Sequence, residues 1–383
     1  MNNFEYHNPS KIIFGKETIA RLSGELPAGA RILMLYGGGS IKHNGVYEQV
    51  TAALKGFEYS EFSGIEPNPH YETCMIAVET VRRKGINYLL AVGGGSVIDA
   101  AKFISAAVFY DGDPWDFYTK GVKVGQTMPV GVVLTLPATG SEMNDRSIIS
   151  RVSTNQKLGL HSKAIYPKFS ILDPETSYSL PVRQIANGVV DSFIHVAEQY
   201  LTYPVNAMVQ DYFAESLMRV FIEEGKRVLE HPDDYSIRAN LMWASTNALN
   251  GWIGLGVPQD WSSHRIGYGL TIDYDMDHAQ TLAIVLPGVL RYMKKQKEAK
   301  ILRMGVALFG ITKGPANERI EATIQAMEAF FRHMGLKTRL SEAGLGVEAI
   351  ESVARPFELA GWKLGEHGNI SAKEVREIMQ LCL

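Results

Sequence analysis

Residues 88–108, YLLAVGGGSVIDAAKFISAAV, decide the fold class. Tyr88-Leu89-Leu90-Ala91-Val92 is a short, unbroken apolar run, as a strand buried on both faces requires. Gly93-Gly94-Gly95-Ser96 turns the chain, and Val97 to Val108 continues with helical periodicity. The same order occurs upstream, where Arg31-Ile32-Leu33-Met34-Leu35-Tyr36 reads as a buried strand. Gly37-Gly38-Gly39-Ser40 is its turn, and Val46 to Leu54 its amphipathic helix. Downstream, Gly125 to Leu136 (GQTMPVGVVLTL) adds a strand that runs into Pro137-Ala138-Thr139-Gly140-Ser141-Glu142. Glycine-capped apolar runs that each feed a helix predict a parallel α/β sheet.

After Leu180-Pro181 the texture changes to long helical patterns: Gln184 to Tyr200, Ala207 to Leu229, Tyr235 to Gly251, Ala299 to Phe309 and Asn317 to Met334. Turn signals such as His231-Pro232-Asp233-Asp234 separate them. The boundary falls in the stretch from Asp173-Pro174 to Pro181, giving an α/β domain over 1–180 and an all-α domain over 181–383. Two domains also suit the length, since 383 residues exceed what one core organises.

Composition narrows the function classes. Hydrophobic residues make up 46% and charged residues 21%, as in soluble globular chains. A formal net charge of −3 offers nothing to a nucleic acid or an anionic membrane. No run of about 18 apolar residues predicts a membrane span, and the opening MNNFEYHNPSKIIFG does not have the pattern of a signal peptide. The two cysteines, Cys74 and Cys382, match no zinc-ligand spacing and suit a reducing cytoplasm.

The glycine turns are candidate anion sites. A glycine turn between strand and helix bares backbone N–H groups, and the helix N-terminus adds a favourable dipole. Gly93-Gly94-Gly95-Ser96 has this context, with Asp99 and Lys102 in the helix behind it, although it lacks the G-x-G-x-x-G spacing. A tight turn that merely needs glycine fits the same residues. At Gly37-Gly38-Gly39-Ser40 no carboxylate follows the strand to bond a ribose 2′-hydroxyl, and Lys42 lies close behind. That combination tolerates the extra phosphate of NADP, and a turn without a cofactor role fits it too.

The candidate metal ligands are Asp191, His195, His264 and His278. Asp191 and His195, at i and i+4, share one helix face and reach one ion. A surface pair or a satisfied core pair has the same spacing. His264 and His278 would stand roughly 21 Å apart on one unbroken helix. The run from Gly267 to Asp277 is read as a helix break, with Asp277 as the N-cap of a new helix from His278. One carboxylate and three imidazoles suit zinc or iron(II), with manganese or nickel also compatible. His7, His43, His70 and His231 lie near turns and read as solvated or structural.

These residues resemble the iron-containing alcohol dehydrogenase family, in its branch of NADPH-dependent aldehyde reductases and butanol dehydrogenases. The resemblance runs nearly end to end. Its specific pieces are Asn8 to Gly15, Tyr36 to Ser40, Gly64 to Pro69, Ala91 to Asp99, Leu134 to Glu142, Asn187 to Gln199 and Asp277 to Ala283. It implies an α/β N-terminal dinucleotide-binding domain and an all-α C-terminal metal-binding domain, a dehydroquinate synthase-like fold, assembled as a homodimer. It implies that Asp191, His195, His264 and His278 hold one zinc or iron ion. Gly37, Gly38 and Ser40 match positions that meet the adenosine ribose or its phosphate, and Asn68 a further cofactor position. Gly94, Gly95, Ser96 and Asp99 match the pyrophosphate loop. Thr135, Thr139, Ser141 and Asn144 match the loop at the nicotinamide half, and Lys157 a ribose-contacting lysine. Tyr268 stands where the family usually has a substrate-facing histidine, so the resemblance leaves a tyrosine as the proton relay.

The implied activity is hydride transfer between NADP(H) and short-chain aldehydes or primary alcohols. Trp252 and Trp261, which flank the ligand segment, are candidates for an apolar wall. Two other readings share the sequence. A sugar-phosphate cyclase of this fold needs a cleft rich in Lys and Arg, and only Arg265 lies beside His264. A nucleotide sensor that has lost catalysis has only Tyr268 in its favour.

Overall fold

The computed structural model describes residues 1–383. The first part alternates strands and helices: β1 (Lys11–Phe14), α1 (Leu22–Glu25), β2 (Arg31–Leu35), α2 (Val46–Ala53), β3 (Glu58–Phe62), α3 (Tyr71–Lys84), β4 (Tyr88–Gly94), α4 (Gly95–Ala107), α5 (Asp116–Thr119) and β5 (Val130–Leu136). A hairpin of β6 (Arg146–Arg151) and β7 (Gln156–His161) precedes β8 (Phe169–Leu172).

The sheet has the order β1-β8-β5-β4-β2-β3, and every pairing in it is parallel. Alternation along β2 explains why its sequence is apolar throughout. Ile32 and Met34 enter the core on one face, Leu33 and Leu35 the core on the other. The chain leaves β2 for β3 on one side and returns to lay β4 on the other. The C-terminal ends of β2 and β4 are therefore the topological switch point, where open α/β sheets bind ligands.

The second part is helical: α6 (Val182–Tyr200), α7 (Met208–Glu230), α8 (Tyr235–Ala248), α9 (Ser262–Tyr274), α10 (His278–Tyr292), α11 (Glu298–Phe309), α12 (Ala316–His333), α13 (Glu348–Ala360) and α14 (Ala372–Gln380). A core of Ile266, Leu270, Val285, Val353 and Ile378 joins α9, α10, α13 and α14. No helix is long and apolar enough to cross a membrane.

The contacts divide the chain into His7–Leu180 with Asp233–Thr246, and Met1–Tyr6 with Pro181–Pro232 and Asn247–Leu383. The contiguous division at residue 180 differs from this in two short segments. Met242 of α8 is buried in a core of the α/β unit, and Trp243 lies edge-on to Phe14. At the other end of the chain, Asn2 N–H donates to Gly256 O, and Tyr6 meets Trp252 edge-on.

The break expected between Gly267 and Asp277 lies at the end of that run: α9 continues through Gly267 and Gly269 to Tyr274, ends at Asp275 in the left-handed conformation at φ 50°, and α10 begins at His278. The glycines serve close packing. A Cβ at Gly267 would stand 2.8 Å from Thr281 Oγ1, and one at Gly269 3.1 Å from Val353 Cγ2. Asp277 does occupy the N-cap position of α10, but its side chain makes no capping bond. Asn187 Nδ2 donates to it at 2.9 Å, and Arg183 Nε lies 3.3 Å away.

Candidate metal centre and nucleotide site

In the helical unit, α6 presents Asp191 and His195, α9 presents His264, and α10 begins with His278. The Nε2 atoms of the three histidines stand 3.6, 3.8 and 3.9 Å from Asp191 Oδ1. Two donors each ~2.1 Å from one ion lie ~3.4 Å apart in a tetrahedron and up to ~4.2 Å apart when opposed. The ligand atoms of Asp191, His195 and His264 all lie within 4.8 Å of one another, close enough to suit a shared ion; His278 stands outside that group and approaches Asp191 Oδ1. Asp191, His195 and His264 are buried, whereas the His278 side chain is 25% exposed and forms the open side.

Asp191 Oδ1 and His264 Nε2 are buried without a hydrogen bond. Leaving such atoms unmatched costs about 1–3 kcal/mol each, and more for a charged group. A cation among them removes that cost, so the donor set fits a divalent ion. The electrostatics agree. Burial alone would raise the Asp191 carboxyl, but His195, His264 and His278 outweigh it and hold it well below the usual carboxylate range. Burial also opposes charge on His264, yet Glu198 and Asp191 outweigh it and push its imidazole up to about 9. The pocket thus stabilises positive charge.

Glu198 was missed from the sequence. It is buried, its Oε2 meets His264 Nδ1, its Oε1 accepts from Ser263 N–H at 2.7 Å, and its carbonyl accepts from Asp260 N–H at 3.0 Å. A carboxylate on Nδ1 fixes the tautomer that leaves Nε2 as the ligand atom. The signal was present: Glu198 follows Asp191 by seven positions and His195 by three, on one helix face.

The aromatic candidates separate. The Trp261 ring lies 5.3 Å from that of His264 and 6.2 Å from that of His195, and its Nε1 donates to Gln259 at 2.9 Å. Trp252 packs instead on Tyr6 and Phe213. Tyr268 lies one turn beyond His264, its ring 5.7 Å from that of His278.

In the α/β unit, the candidate cofactor residues gather at the C-terminal ends of three adjacent strands. Gly37, Gly38 and Ser40 follow β2, Gly94 to Ser96 end β4 and begin α4, and Thr135 to Asn144 end β5 and continue from it. The first turn of α4 has no side-chain cap and no acidic residue, so its N–H groups and dipole suit an anion. A Cβ at Gly38 would meet nothing within 4 Å. A Cβ at Gly95 would stand 2.3 Å from Thr139 Oγ1, so that glycine is required by the loop pressed against it. Asn68, in the left-handed region at φ 56°, accepts from Lys157 Nζ at 2.8 Å, which pairs two more of the candidates.

The structure adds a carboxylate near the first turn that the order of residues did not reveal. Glu61 of β3 accepts from Tyr36 and Tyr47 hydroxyls at 2.8 and 2.7 Å, with Lys42 Nζ 3.8 Å away. Its charge is answered locally. Asp99, Ser141 and Asn144 are buried and bonded into one network with Lys102, which places them beneath the turn.

Residues 9–174 match the family model described as iron-containing alcohol dehydrogenase, and residues 185–381 that of its C-terminal domain. The chain is 49% identical to the NADPH-dependent aldehyde reductase YqhD of Escherichia coli K12, over 99% of both chains. It is 39% identical to the NADH-dependent butanol dehydrogenase A of Clostridium acetobutylicum, again over 99% of both. The crystal structure of E. coli YqhD superposes with a TM-score of 0.98 at 48% identity, covering 100% of this chain and 99% of that one. With both domains matched and relatives aligned from end to end, the chain belongs to the iron-containing alcohol dehydrogenase family.

Proposed function

We propose that this oxidoreductase reduces short-chain aldehydes to primary alcohols with NADPH, using one zinc or iron ion held by Asp191, His195, His264 and His278. The observation that carries the reading is the convergence of three imidazoles on Asp191 Oδ1 at 3.6–3.9 Å, with that oxygen and His264 Nε2 buried and unbonded. When bound, the ion supplies Lewis-acid polarisation of a carbonyl oxygen, and the reduced nicotinamide supplies the hydride.

The chain's own residues position and shield. Glu198 holds His264 in its ligating tautomer. Trp261 packs against His195 and His264 and keeps water from that side. Tyr268, beside His278, is assigned the proton exchanged at the substrate oxygen. The α4 N-terminus takes the pyrophosphate, and the turn after β2, with Lys42, takes the 2′-phosphate. The relatives include both NADPH-dependent and NADH-dependent enzymes, and the turn after β2, which carries no carboxylate of its own, supports NADPH here.

The partner of the chain is a second copy of itself. Edge strand β1, with half-exposed Phe14, offers an unpaired side for it. Both cysteines are free and buried, which suits a reducing cytoplasm.

Oxidation of NADPH with butanal tests the reading, alongside elemental analysis. Stripping the metal with a chelator is expected to abolish turnover, and zinc or iron(II) to restore it. Full turnover in metal-free enzyme overturns the metal assignment. A kcat/KM with NADH equal to or above that with NADPH overturns the coenzyme assignment.

A further inference from the structure

Lys102 is completely buried, yet the mechanism gives it no part. It lies on α4 one turn after Asp99. Its ammonium donates to Ser141 Oγ at 2.9 Å, Asn144 O at 2.8 Å, Asn144 Oδ1 at 3.0 Å and Arg146 O at 3.0 Å. All four acceptors belong to the segment after β5. Asp99 grips the same segment, accepting from Ser141 Oγ with Oδ1 and from Ile148 N–H at 3.0 Å with Oδ2. Further along the loop, Asn144 Nδ2 donates to Thr139 O at 3.3 Å, and Thr139 is the residue pressed on Gly95.

We propose that Lys102 is a positioning residue of the nucleotide site, which clamps the Thr139–Asn144 loop to the helix whose N-terminus takes the pyrophosphate, and that Asp99, Ser141 and Asn144 act through this clamp rather than by touching the cofactor. The proposal rests on the reading of that site as an NADPH site. Ser141 Oγ gives its proton to Asp99 and receives one from Lys102, while Asn144 Oδ1 receives from Lys102 and from Arg146 N–H at 3.0 Å. Both Asp99 oxygens are engaged. Each of these polar atoms already has a partner within the network, and their residues are at most 8% exposed, which leaves little of them to face a nucleotide. Burial pushes the Lys102 ammonium down to about 8, against the pull of Asp99, Glu142 and Asp145. It therefore remains largely protonated at neutral pH, with three N–H donors to share among four oxygens. Methionine would fill the space but leave the carbonyls of Asn144 and Arg146 without this donor.

A double-mutant cycle separates positioning from contact. NADPH dissociation constants are measured by nicotinamide fluorescence for wild type, Lys102→Met, Ser141→Ala and the double variant, at a temperature where all are folded. The expected result is at least tenfold weaker binding in Lys102→Met, with the double variant little worse than that single one. Backbone amides of residues 139–146 exchange faster in Lys102→Met without nucleotide. An unchanged dissociation constant in Lys102→Met, or additive losses, overturns the proposal. Failure of the wild type to bind NADPH overturns the reading of the site instead. Should Lys102→Met not fold, the cycle is run with Asp99→Asn and Ser141→Ala, whose bond joins the same two segments, and additivity there overturns the proposal.

Discussion

A single imidazole shows how the candidate metal centre is built. His264 has two ring nitrogens with opposite duties: Nδ1 meets the buried Glu198 carboxylate, and Nε2 faces Asp191. Carboxylates behind ligating histidines typically account for 10–100-fold in metal affinity. Glu198→Gln keeps the shape but loses the charge, so metal affinity is expected to fall by about that factor. Titration against a competing chelator measures it, and wild-type affinity in the variant would remove Glu198 from the site. Tyr268 calls for a different measurement. Tyr268→Phe is expected to lower kcat by tenfold or more with metal content unchanged, and an undiminished kcat would place the proton route elsewhere. The four proposed ligands could be named from the sequence because their types are chemically distinctive and their order matches a family; the structure groups Asp191, His195 and His264. Glu198 carried a weaker mark, its spacing from Asp191 and His195 on one helix face, which an acid on a solvated face can share.

Among the elements, the apolar strands β2, β4 and β5 were legible with the turns after them, because burial on both faces keeps their middles apolar. β3, with Glu58 and Glu61 among its five residues and mostly exposed, gave no such signal. The break between α9 and α10 was legible, but not its place at Asp275: two glycines weaken a helix, yet α9 runs through both because they pack against Thr281 and Val353. Gly95 permits a clean test of the same contest. Alanine is intrinsically the better helix residue by up to about 1 kcal/mol. Yet its Cβ would stand 2.3 Å from Thr139 Oγ1 and 2.6 Å from Cγ2. Overpacking of that kind costs about 1–3 kcal/mol. Gly95→Ala is therefore expected to lower the denaturation midpoint and to weaken NADPH binding. A variant as stable as wild type, with the same affinity, would show that the loop is not pressed on the helix.

At the scale of the whole molecule, the change from alternating to helical texture near residue 180 was legible, while the exchange of two short segments between units was not. Where α8 packs depends on Met242 finding a distant core, which no local pattern records. Global stability depends on another long-range device. Glu328 of α12 is buried, accepts from Arg291 Nη1 at 2.6 Å and Nη2 at 3.1 Å, and accepts from Arg339 Nη1 at 2.6 Å. Burial alone would raise its carboxyl, but the two guanidiniums outweigh that and hold it below the ordinary value. A carboxylate depressed in the fold contributes stability above its unfolded value of about 4.5, and loses it as the pH falls through the folded value. Glu328→Gln leaves two guanidiniums facing a neutral amide, which is expected to cost about 3 kcal/mol at pH 7. The difference should narrow as the pH drops below about 4.5, because the unfolded wild type then takes up a proton that the folded carboxylate still refuses. Urea midpoints of both proteins from pH 7 to pH 3.5 measure it. A gap that stays constant across that range would mean that the cost comes from packing around the substituted amide and not from the lost charge.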